Sequence, residues 1–341
     1  MDCGRRRILW LWPVALAMAS VLGCSGLRST EQPIVVKRTQ MQMGTLVSIT
    51  AVAPTAEGAQ AAVTAGFAEI KRLERLLSTW RADSELSTVN QAAGHHPVRV
   101  SPDTMEVVAR SLDMARLTEG GFNIAVGPAV DAWSVTERQR VPSAEELRAL
   151  HDVVDWRRVE IDRAAQTIFL PAQGMRLDVG GIGKGFAADK AVEVLRTSGA
   201  QAGVVALSGD IKTFGDLPGM QGFPVGIRHP RQEDALVTRL DLRNEAISTA
   251  GDYERFFEQD GVRYHHILDP VTLEPARLCQ SVTVIAPEGT VADGLDTGIF
   301  VLGPERGMAL VERLPGVDVI IIDADGRMTV SPGLRARLRD P

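Results

Sequence analysis

The chain has 341 residues, with 37 Lys and Arg against 43 Asp and Glu, and a net charge of −6 at neutral pH. This acidic balance gives no general affinity for nucleic acid, because such affinity depends on lysine and arginine contacts to phosphate, so no nucleic-acid partner is expected. Of the three cysteines, only Cys279 lies beyond the amino-terminal segment that holds Cys3 and Cys24. We therefore expect no internal disulfide, and the fold must depend on its hydrophobic core.

The amino terminus has the pattern of a secretory signal. The basic residues 5–7 precede an almost wholly apolar run, residues 8–23, which is shorter than the roughly 20 residues of a membrane-spanning helix. Gly23 before Cys24 resembles a bacterial lipobox. The pattern predicts a signal peptide at 1–23, a lipid on Cys24 and a tether at 24–40. The chain would then be exported and membrane-anchored, facing the periplasm or the cell exterior. Alternatively, cleavage occurs elsewhere and Cys24 is incidental.

Between residues 35 and 170, the sequence pattern predicts both strands and helices. Two strands are predicted at 35–52 around Met43, then a helix at 56–77 with one apolar stripe. Trp80 follows that helix, and it is either a stacking surface for a flat ring or a packed tryptophan. Further elements are predicted as helices at 84–90, 101–118 and 143–154, an apolar loop at 122–128, and strands at 159–161 and 167–170.

The glycine-rich segment 177–189, LDVGGIGKGFAAD, is predicted to join a strand that ends at Leu177 to a helix. Amide groups at a helix amino terminus are free and favour an anion, and glycine lets a ligand approach the backbone. The segment lacks the spacing of a P-loop and matches only the loosest dinucleotide fingerprint. It is therefore either a phosphate-binding loop or a tight turn with a solvated Lys184.

The second half predicts many short strands that pair through turns. They are predicted at 204–207, 225–228, 236–242, 246–249, 281–286, 319–322 and 328–330, with a hairpin turn at residues 260–261. This pattern favours an α+β fold, with antiparallel sheets packed against helices, over a doubly wound parallel sheet. His265 and His266 are adjacent in a predicted strand, so at most one of them faces a site. Alternatively, one is a surface histidine and the other a buried histidine of the strand, and neither belongs to a site.

The helix predicted at 290–302 carries a candidate metal site. Asp293 and Thr297 lie four residues apart on one helix face, and their oxygen atoms suit a hard cation such as Mg²⁺. The spacing of Thr290 and Asp293 is also that of a capping box, so Asp293 alternatively only caps its own helix.

Nine of these segments occur in the order found in one family. They are 43–49, 77–90, 120–133, 177–189, 205–211, 247–257, 264–272, 281–287 and 292–303. Together they resemble the FAD:protein FMN transferases, also called ApbE-type flavin transferases or thiamine-biosynthesis lipoproteins. The resemblance implies an ApbE-like, T-fold-related catalytic domain with intimate subdomains at 41–341. The sequence departs from the family pattern at Trp80, where Tyr is common, and at Asn123, where Asp is common.

The resemblance also implies a reaction. FMN would pass from FAD, the substrate, to a threonine or serine hydroxyl of an exported redox protein, forming a phosphoester and releasing AMP with the help of Mg²⁺. Lys184 would hold phosphate, His266 would assist proton removal, and the metal ligands would be Asp293, Thr297 and the Gly181 carbonyl. The implied contacts to FAD are Met43, Trp80, Gly121, Phe122, Asn123, Asp178, Lys184 and His266. Alternatives are an FAD-binding lipoprotein without transfer and a periplasmic FAD pyrophosphatase.

Overall fold

A computed structural model describes residues 32–341, which contain fifteen strands and seven α-helices. The strands are β1 (Ile34–Gln42), β2 (Thr45–Ala53), β3 (Val98–Arg99), β4 (Glu160–Asp162), β5 (Thr167–Phe169), β6 (Ala202–Leu207), β7 (Asp210–Phe214), β8 (Phe223–Arg228), β9 (Leu236–Leu242), β10 (Ala246–Gly251), β11 (Phe256–Gln259), β12 (Val262–His265), β13 (Cys279–Ala286), β14 (Asp318–Asp323) and β15 (Met328–Val330). The helices are α1 (Ala56–Leu77), α2 (Glu85–Gln91), α3 (Pro102–Leu117), α4 (Gly127–Trp133), α5 (Ala144–Leu150), α6 (Gly183–Thr197) and α7 (Gly289–Val311).

Eight strands form the main sheet, in the order β1-β2-β6-β7-β10-β13-β14-β15. Every neighbouring pair in it is antiparallel. The remaining strands form a three-stranded sheet, β3-β5-β4, and two hairpins, β8-β9 and β11-β12. The predicted α+β class with antiparallel sheets is therefore confirmed.

Two tight turns set the register of their hairpins. Met43 and Gly44 join β1 to β2 with φ angles of 50° and 67°, and Asp260 and Gly261 join β11 to β12 with 52° and 74°. Two consecutive residues with positive φ make the turn whose twist matches that of paired strands. Met43 tolerates this conformation because its backbone N–H is bonded to the Glu74 carboxylate at 2.8 Å.

Three long helices cover one face of the main sheet. The largest hydrophobic cluster joins Ile70 of α1, Leu195 of α6 and Leu295 of α7 to Ile49 and Val284 of the sheet, and all five side chains are buried. The apolar stripe predicted for residues 56–77 is the buried face of α1, whose observed bounds equal the predicted ones. The helix predicted at 290–302 continues to Val311 across a break at Gly303, where φ is 80° and Pro304 follows.

The opposite face of the sheet is covered by the β8-β9 hairpin. Ile227 and Leu240 of that hairpin pack on Ile247, Ile285 and Ile320 of the sheet. Because neighbouring strand residues point to opposite faces, Val284 and Ile285 contribute to different cores. A second small core joins α4 and α5 to the β11-β12 hairpin, where Trp133, Phe257 and Tyr264 stack with ring centroids 5.2–5.4 Å apart.

Two local predictions were wrong. No strand ends at Leu177; its backbone N–H and C=O are instead bonded to the side chain of Asn90, at 2.7 and 3.0 Å, so the backbone is satisfied without a sheet. The segment predicted as an apolar loop forms a 3₁₀ turn, Ile124–Val126, followed by α4. Phe122, Ile124 and Ala125 are buried in the largest hydrophobic cluster, and Pro128 in the first turn of α4 is compatible with a helix.

The predicted amino-terminal segments meet the described structure only in part. The signal peptide at 1–23, Cys24 and the tether up to residue 31 lie outside the described residues. Residues 34–40, which the predicted boundary assigns to the tether, are part of β1 and pair with β2, so the folded region begins earlier than residue 41. Among residues 32–341, no helix combines the length and the apolar character needed to cross a membrane.

Candidate active site at two helix amino termini

The amino termini of α6 and α7 meet at two glycines. A Cβ atom added at Gly185 would lie 2.1 Å from the Gly289 carbonyl oxygen and 2.8 Å from the Cβ of Asp293. A Cβ added at Gly289 would lie 2.6 Å from the Gly185 carbonyl oxygen. Any larger residue at either position would push the helices apart, so the glycines of segment 177–189 allow a close approach between two backbones.

Each helix supplies the cap of the other. Asp293 of α7 accepts a hydrogen bond from the backbone N–H of Gly185 at 2.8 Å. Asp189 of α6 accepts from the N–H groups of Gly289 and Thr290 and from the Thr290 hydroxyl, at 2.7–2.8 Å. The alternative in which Asp293 caps its own helix with Thr290 is therefore wrong. These N–H groups already donate to carboxylates of the protein, so the first turn of α6 is not an open phosphate-binding site.

Three buried carboxyl groups gather beside this junction. One oxygen from each of Asp210, Asp293 and Asp296 lies within 4.8 Å of the others. Lys184 forms an ion pair with Asp210, so one ammonium stands against three carboxyl groups. The excess of negative charge and the all-oxygen donor set fit a hard divalent cation such as Mg²⁺.

The other predicted ligands lie at the same place. Gly181 faces Thr297, because a Cβ on Gly181 would be 2.9 Å from the Thr297 hydroxyl oxygen. That hydroxyl lies 3.2 Å from Asp296 Oδ1. The structure thus brings Gly181, Asp293 and Thr297 together and adds Asp210 and Asp296 to them.

The contacts of Ser248 require a proton on one of the two carboxyl groups that surround it. Ser248 Oγ contacts Asp210 Oδ1 and lies 2.6 Å from Asp296 Oδ2, but it has a single hydrogen to donate. The second contact therefore needs a proton on a carboxyl group. Lys184 stabilises the charge of Asp210, whereas burial and the neighbouring Asp293 and Asp210 raise the pKa of Asp296 well above its usual range. The ion pair of Asp210 and the raised pKa of Asp296 favour Asp296 as the carboxyl group that holds the proton.

Burial and the charge of Asp210 also raise the pKa of Asp293. Burial alone would lower the pKa of Lys184, but Asp210 and Asp293 outweigh it and raise that pKa above its ordinary value. Lys184 is consequently a permanent cation at neutral pH, and its side chain keeps 29% of its surface exposed. It is placed to contact an anionic ligand at the mouth of the carboxylate cluster.

The two adjacent histidines have different environments. His265 is buried; its Nε2 lies 2.8 Å from the Ala276 carbonyl oxygen, and its Nδ1 accepts from the N–H of Ile267. Both ring nitrogens are thus used. His266 is partly exposed, and only its Nδ1 is engaged, 3.2 Å from the Arg255 carbonyl oxygen. A carbonyl only accepts, so the hydrogen is on Nδ1 and the Nε2 lone pair is free.

The proton affinity of His266 suits a base that is neutral before reaction. Burial, followed by the charge of Arg255, lowers the pKa of His266 well below its usual range, and Lys184 acts in the same direction. His266 is therefore neutral at pH 7 and lies near the Lys184 ammonium. Of the two histidines, only His266 offers an unused nitrogen to a substrate.

The predicted FAD contacts fall into two groups. Gly121, Phe122 and Asn123 lie against α7 and Gly181: a Cβ on Gly121 would be 2.7 Å from the Gly298 carbonyl oxygen, and one on Gly181 would be 3.4 Å from the Phe122 ring. Asn123 is buried and its amide is bonded to Ala125 N and Val154 O, at 2.8 and 3.3 Å. Its side chain thus caps a 3₁₀ turn as well as lying near the site.

The second group lies around the end of α1. Trp80 follows that helix and is 76% exposed, so it is a surface ring and not a packed one. Met43 is held through Glu74 in the last turn of α1. Asp178 accepts from the N–H of Gly180 at 2.6 Å, and the preceding Arg176 lies 3.5 Å from the Thr79 carbonyl oxygen. The residue before Trp80 therefore lies close to Arg176, just before the glycine-rich segment.

Comparison with known proteins assigns the chain and its fold to a family. The model described as the ApbE family matches residues 43–321. The chain belongs to the ApbE family. It is therefore a member of a family of flavin transferases, as the nine ordered segments indicate.

Relatives and solved structures agree with this assignment. The chain is 36% identical to the FAD:protein FMN transferase of Treponema pallidum over 97% of its own length and 96% of that protein. It is 34% identical to one from Klebsiella pneumoniae over 80% of its own length and 85% of the relative. Its fold matches the ApbE protein of Thermotoga maritima with a TM-score of 0.83 and 29% identity, covering 90% of this chain and 100% of that one. Its fold also matches the flavinyl transferase ApbE of Pseudomonas stutzeri, with a TM-score of 0.79 and 29% identity, covering 90% of this chain and 97% of that one.

Three polar residues of this candidate site were missed at the level of sequence. Asp296 lies three residues after Asp293, so helical spacing alone could have found it. Asp210 and Ser248 lie on neighbouring strands β7 and β10, one residue beyond the pair of Ile211 and Ile247. Finding those two requires the strand register, which local spacing does not give.

Proposed function

We propose that this ApbE-family chain is a Mg²⁺-dependent FAD:protein FMN transferase that acts on a threonine or serine hydroxyl of an exported redox protein. The observation that carries the proposal is His266, a neutral histidine with a free Nε2, whose protonation is opposed by the charge of Lys184, the ion-pair partner of Asp210 in the carboxylate cluster. A protein that only stored FAD would have no use for an unoccupied base at this position. The names of the relatives support the same reaction.

The proposed reaction breaks one phosphorus–oxygen bond and forms another. The acceptor hydroxyl oxygen attacks the phosphorus of the FMN half of FAD, and a phosphoester bond forms. The bond from that phosphorus to the bridging oxygen breaks, and AMP leaves with the electron pair. The hydroxyl proton passes to His266 Nε2. Nδ1–H remains bonded to the Arg255 carbonyl, which orients the ring and stabilises the imidazolium that forms.

Charge stabilisation is the main task of the other residues. Lys184 contacts phosphate oxygens and offsets their charge, while Asp210 holds its ammonium in place. Asp293, Thr297 and the Gly181 carbonyl, with Asp210 and Asp296 beside them, would hold the metal. When bound, Mg²⁺ supplies the positive charge that a pyrophosphate group needs in phosphoryl transfer. The exposed ring of Trp80 supplies a stacking surface for the flavin.

One experiment separates the transferase from its alternatives. Purified protein is mixed with FAD, Mg²⁺ and a candidate acceptor domain, and the acceptor is weighed by mass spectrometry while free AMP is measured. A transferase adds the mass of FMN to the acceptor and releases an equal amount of AMP. A pyrophosphatase releases AMP and free FMN and leaves the acceptor unchanged. A storage protein releases neither.

We also propose that the chain is exported and anchored by a lipid on Cys24, with the domain facing the periplasm or cell exterior. The support is the basic start, the apolar run 8–23 and Gly23 before Cys24. Cys24→Ala should give an unlipidated form that is released from membranes by salt. Equal membrane retention of parent and variant would contradict the anchor.

A further inference from the structure

A second cavity lies outside the candidate active site, on the side of β12 that His265 occupies. Its volume is about 330 Å³. The charged side chains that line it are Arg231, Arg263, Arg277 and Asp252. His265 adds no charge, because burial lowers its pKa to about 4 and both of its nitrogens are bonded. The lining therefore has three guanidinium groups against one carboxylate.

The carboxylate in this cavity is already neutralised. Asp252 accepts two parallel hydrogen bonds from Arg231, each 2.7 Å long, and its side chain is 11% exposed. This bidentate geometry is the strongest arrangement of an arginine with a carboxylate. Arg231 and Asp252 form a fixed pair. Arg263 pairs with Glu258, so the positive charge of the cavity lining that has no acidic partner is that of Arg277.

Arg263 is held rigidly with one nitrogen group to spare. Its Nε and Nη2 lie 3.3 and 3.0 Å from Glu258, and its guanidinium stacks 4.1 Å from the centre of the Phe256 ring. Its Nη1 is 3.7 Å from Asp252, beyond hydrogen-bonding distance. A fixed donor of this kind loses little side-chain entropy when it binds a ligand.

Arg277 has no acidic partner among residues 32–341. Its Nη1 donates to the backbone carbonyl of Arg263, and its guanidinium lies 5.5 Å from the centre of the Tyr264 ring. The carbonyl and the ring fix the group but do not neutralise it. Arg263 of β12 and Arg277, which precedes β13, therefore present unused donors to the same cavity.

We propose that this cavity, the arginine pocket of Arg231, Arg263 and Arg277, binds a small multivalent oxyanion with phosphate or clustered carboxylate groups. The guanidinium fork matches both groups in shape and charge. Small-molecule sites commonly measure about 300–1,000 Å³, so this volume suits a compact anion. The inference does not depend on the proposed function, since none of these arginines is assigned to the transfer reaction.

The test uses the whole folded protein without FAD and with divalent metal chelated. Binding of pyrophosphate, citrate and chloride is measured by calorimetry at equal ionic strength. Pyrophosphate and citrate should bind saturably, and chloride should not. Arg277→Gln should weaken binding by at least roughly tenfold, the loss expected for one charged hydrogen bond. Arg306→Gln is the matched control, an exposed arginine paired with Glu119 elsewhere, and it should bind as the parent does.

Two further variants locate the anion. Asp252→Asn removes the negative charge of the pocket and should tighten binding. An anion that bound at the candidate active site instead would bind the variant and the parent equally. Lys184→Gln should have no effect. The proposal is overturned if binding survives Arg277→Gln and is lost in Lys184→Gln, because the anion then occupies the candidate active site. It is also overturned if no probe binds saturably.

Discussion

Asp189 accepts three hydrogen bonds from the first turn of α7, two of them from Thr290, although the two residues are 101 positions apart. This contact fixes the start of the helix that carries Asp293 and Thr297. It works together with the bond from Gly185 N to Asp293, so each of the two helices is held at its first turn by a carboxylate of the other. The geometry of the candidate metal site thus depends on a residue that is not a ligand.

Asp189→Asn should weaken metal binding without removing a ligand. The amide keeps one acceptor oxygen but turns an NH₂ group towards backbone donors, so α7 loses part of its cap. Loss of a helix cap costs about 0.5–2 kcal/mol of unfolding free energy. Urea unfolding measures that cost, and Mn²⁺ binding followed by electron paramagnetic resonance measures the affinity.

Thr290→Val is the control for Asp189→Asn. It removes the hydroxyl bond only and keeps both backbone bonds to Asp189. It should lower stability by a smaller amount and leave Mn²⁺ affinity nearly at the parent value. Unchanged Mn²⁺ affinity in Asp189→Asn, despite lower stability, would show that Asp189 supports the fold but not the site.

Asp293→Asn should abolish Mg²⁺-dependent AMP release while the fold persists. The amide can still accept the hydrogen bond from Gly185, so the helix contact is kept, but the anionic ligand is lost. Thr297→Ala should reduce Mg²⁺ affinity in the same direction. The measurements are AMP release against Mg²⁺ concentration and thermal melting. Parent-like Mg²⁺ dependence in Asp293→Asn would remove this residue from the ligand set.

The buried His265 should make stability depend on pH. Burial lowers its pKa from 6.5 to about 4 in the folded protein. Above pH 6.5 the ring is neutral in both the folded and the unfolded chain, and its contribution to the unfolding free energy is fully present. Between pH 6.5 and about 4 only the unfolded chain binds the proton, so the unfolding free energy falls as pH falls, by up to about 3 kcal/mol. Below pH 4 this dependence ends.

His265→Gln isolates that dependence from the rest of the chain. The difference in unfolding free energy between parent and variant, measured by urea titration from pH 7 to pH 4, should shrink steadily with decreasing pH. The pKa of His266 is also lowered, but His266 is present in both proteins and cancels in the difference. A difference that stays constant with pH would mean that His265 titrates normally in the folded state.

The sequence predicts elements well where the signal is local. The helix α1 was predicted with its observed bounds because its apolar stripe repeats over six turns, and the hairpin at Asp260 follows from two residues that tolerate positive φ. Asp293 and Thr297 were paired as candidate ligands because four residues make about one helical turn. In each case the decisive contacts lie within one element or one turn.

Local sequence patterns do not predict the contacts between segments that are distant in the chain. The capping of α7 by Asp189, the contact of Gly185 with Gly289, and the pairing of Asp210 with Ser248 all join positions 38 or more residues apart. The Thr290–Asp293 capping box is the instructive failure, because its local pattern is correct but a carboxylate from α6 competes for the same donors. The missing strand at Leu177 has a similar cause, since the Asn90 side chain replaces a strand neighbour.

The carboxyl groups that share Ser248 should respond differently to neutralisation. Asp296→Asn replaces the group whose raised pKa favours the neutral form, so thermal stability at pH 7 should change little or rise. Asp210→Asn leaves Lys184 beside a neutral amide and should lower stability by about 1–3 kcal/mol, since Lys184 is partly solvated. Melting at pH 7 compares the two. Equal losses would mean that both groups are ionised.

His266 should matter more for transfer than for FAD binding. His266→Ala should bind FAD nearly as the parent does, because its only hydrogen bond is to the Arg255 carbonyl of the protein itself. Transfer to the acceptor should slow by roughly 10²–10⁴, the usual effect of losing a general base. Added imidazole should restore part of the rate in the variant, since a free base can occupy the space of the ring, and the restored rate should increase with pH as imidazole loses its proton. His265→Gln is the matched control: it should lower the melting temperature, because the buried bonds to Ala276 and Ile267 change, but leave turnover of the folded enzyme intact. If His265→Gln lost transfer while His266→Ala kept it, the two histidines would have to exchange their assigned roles.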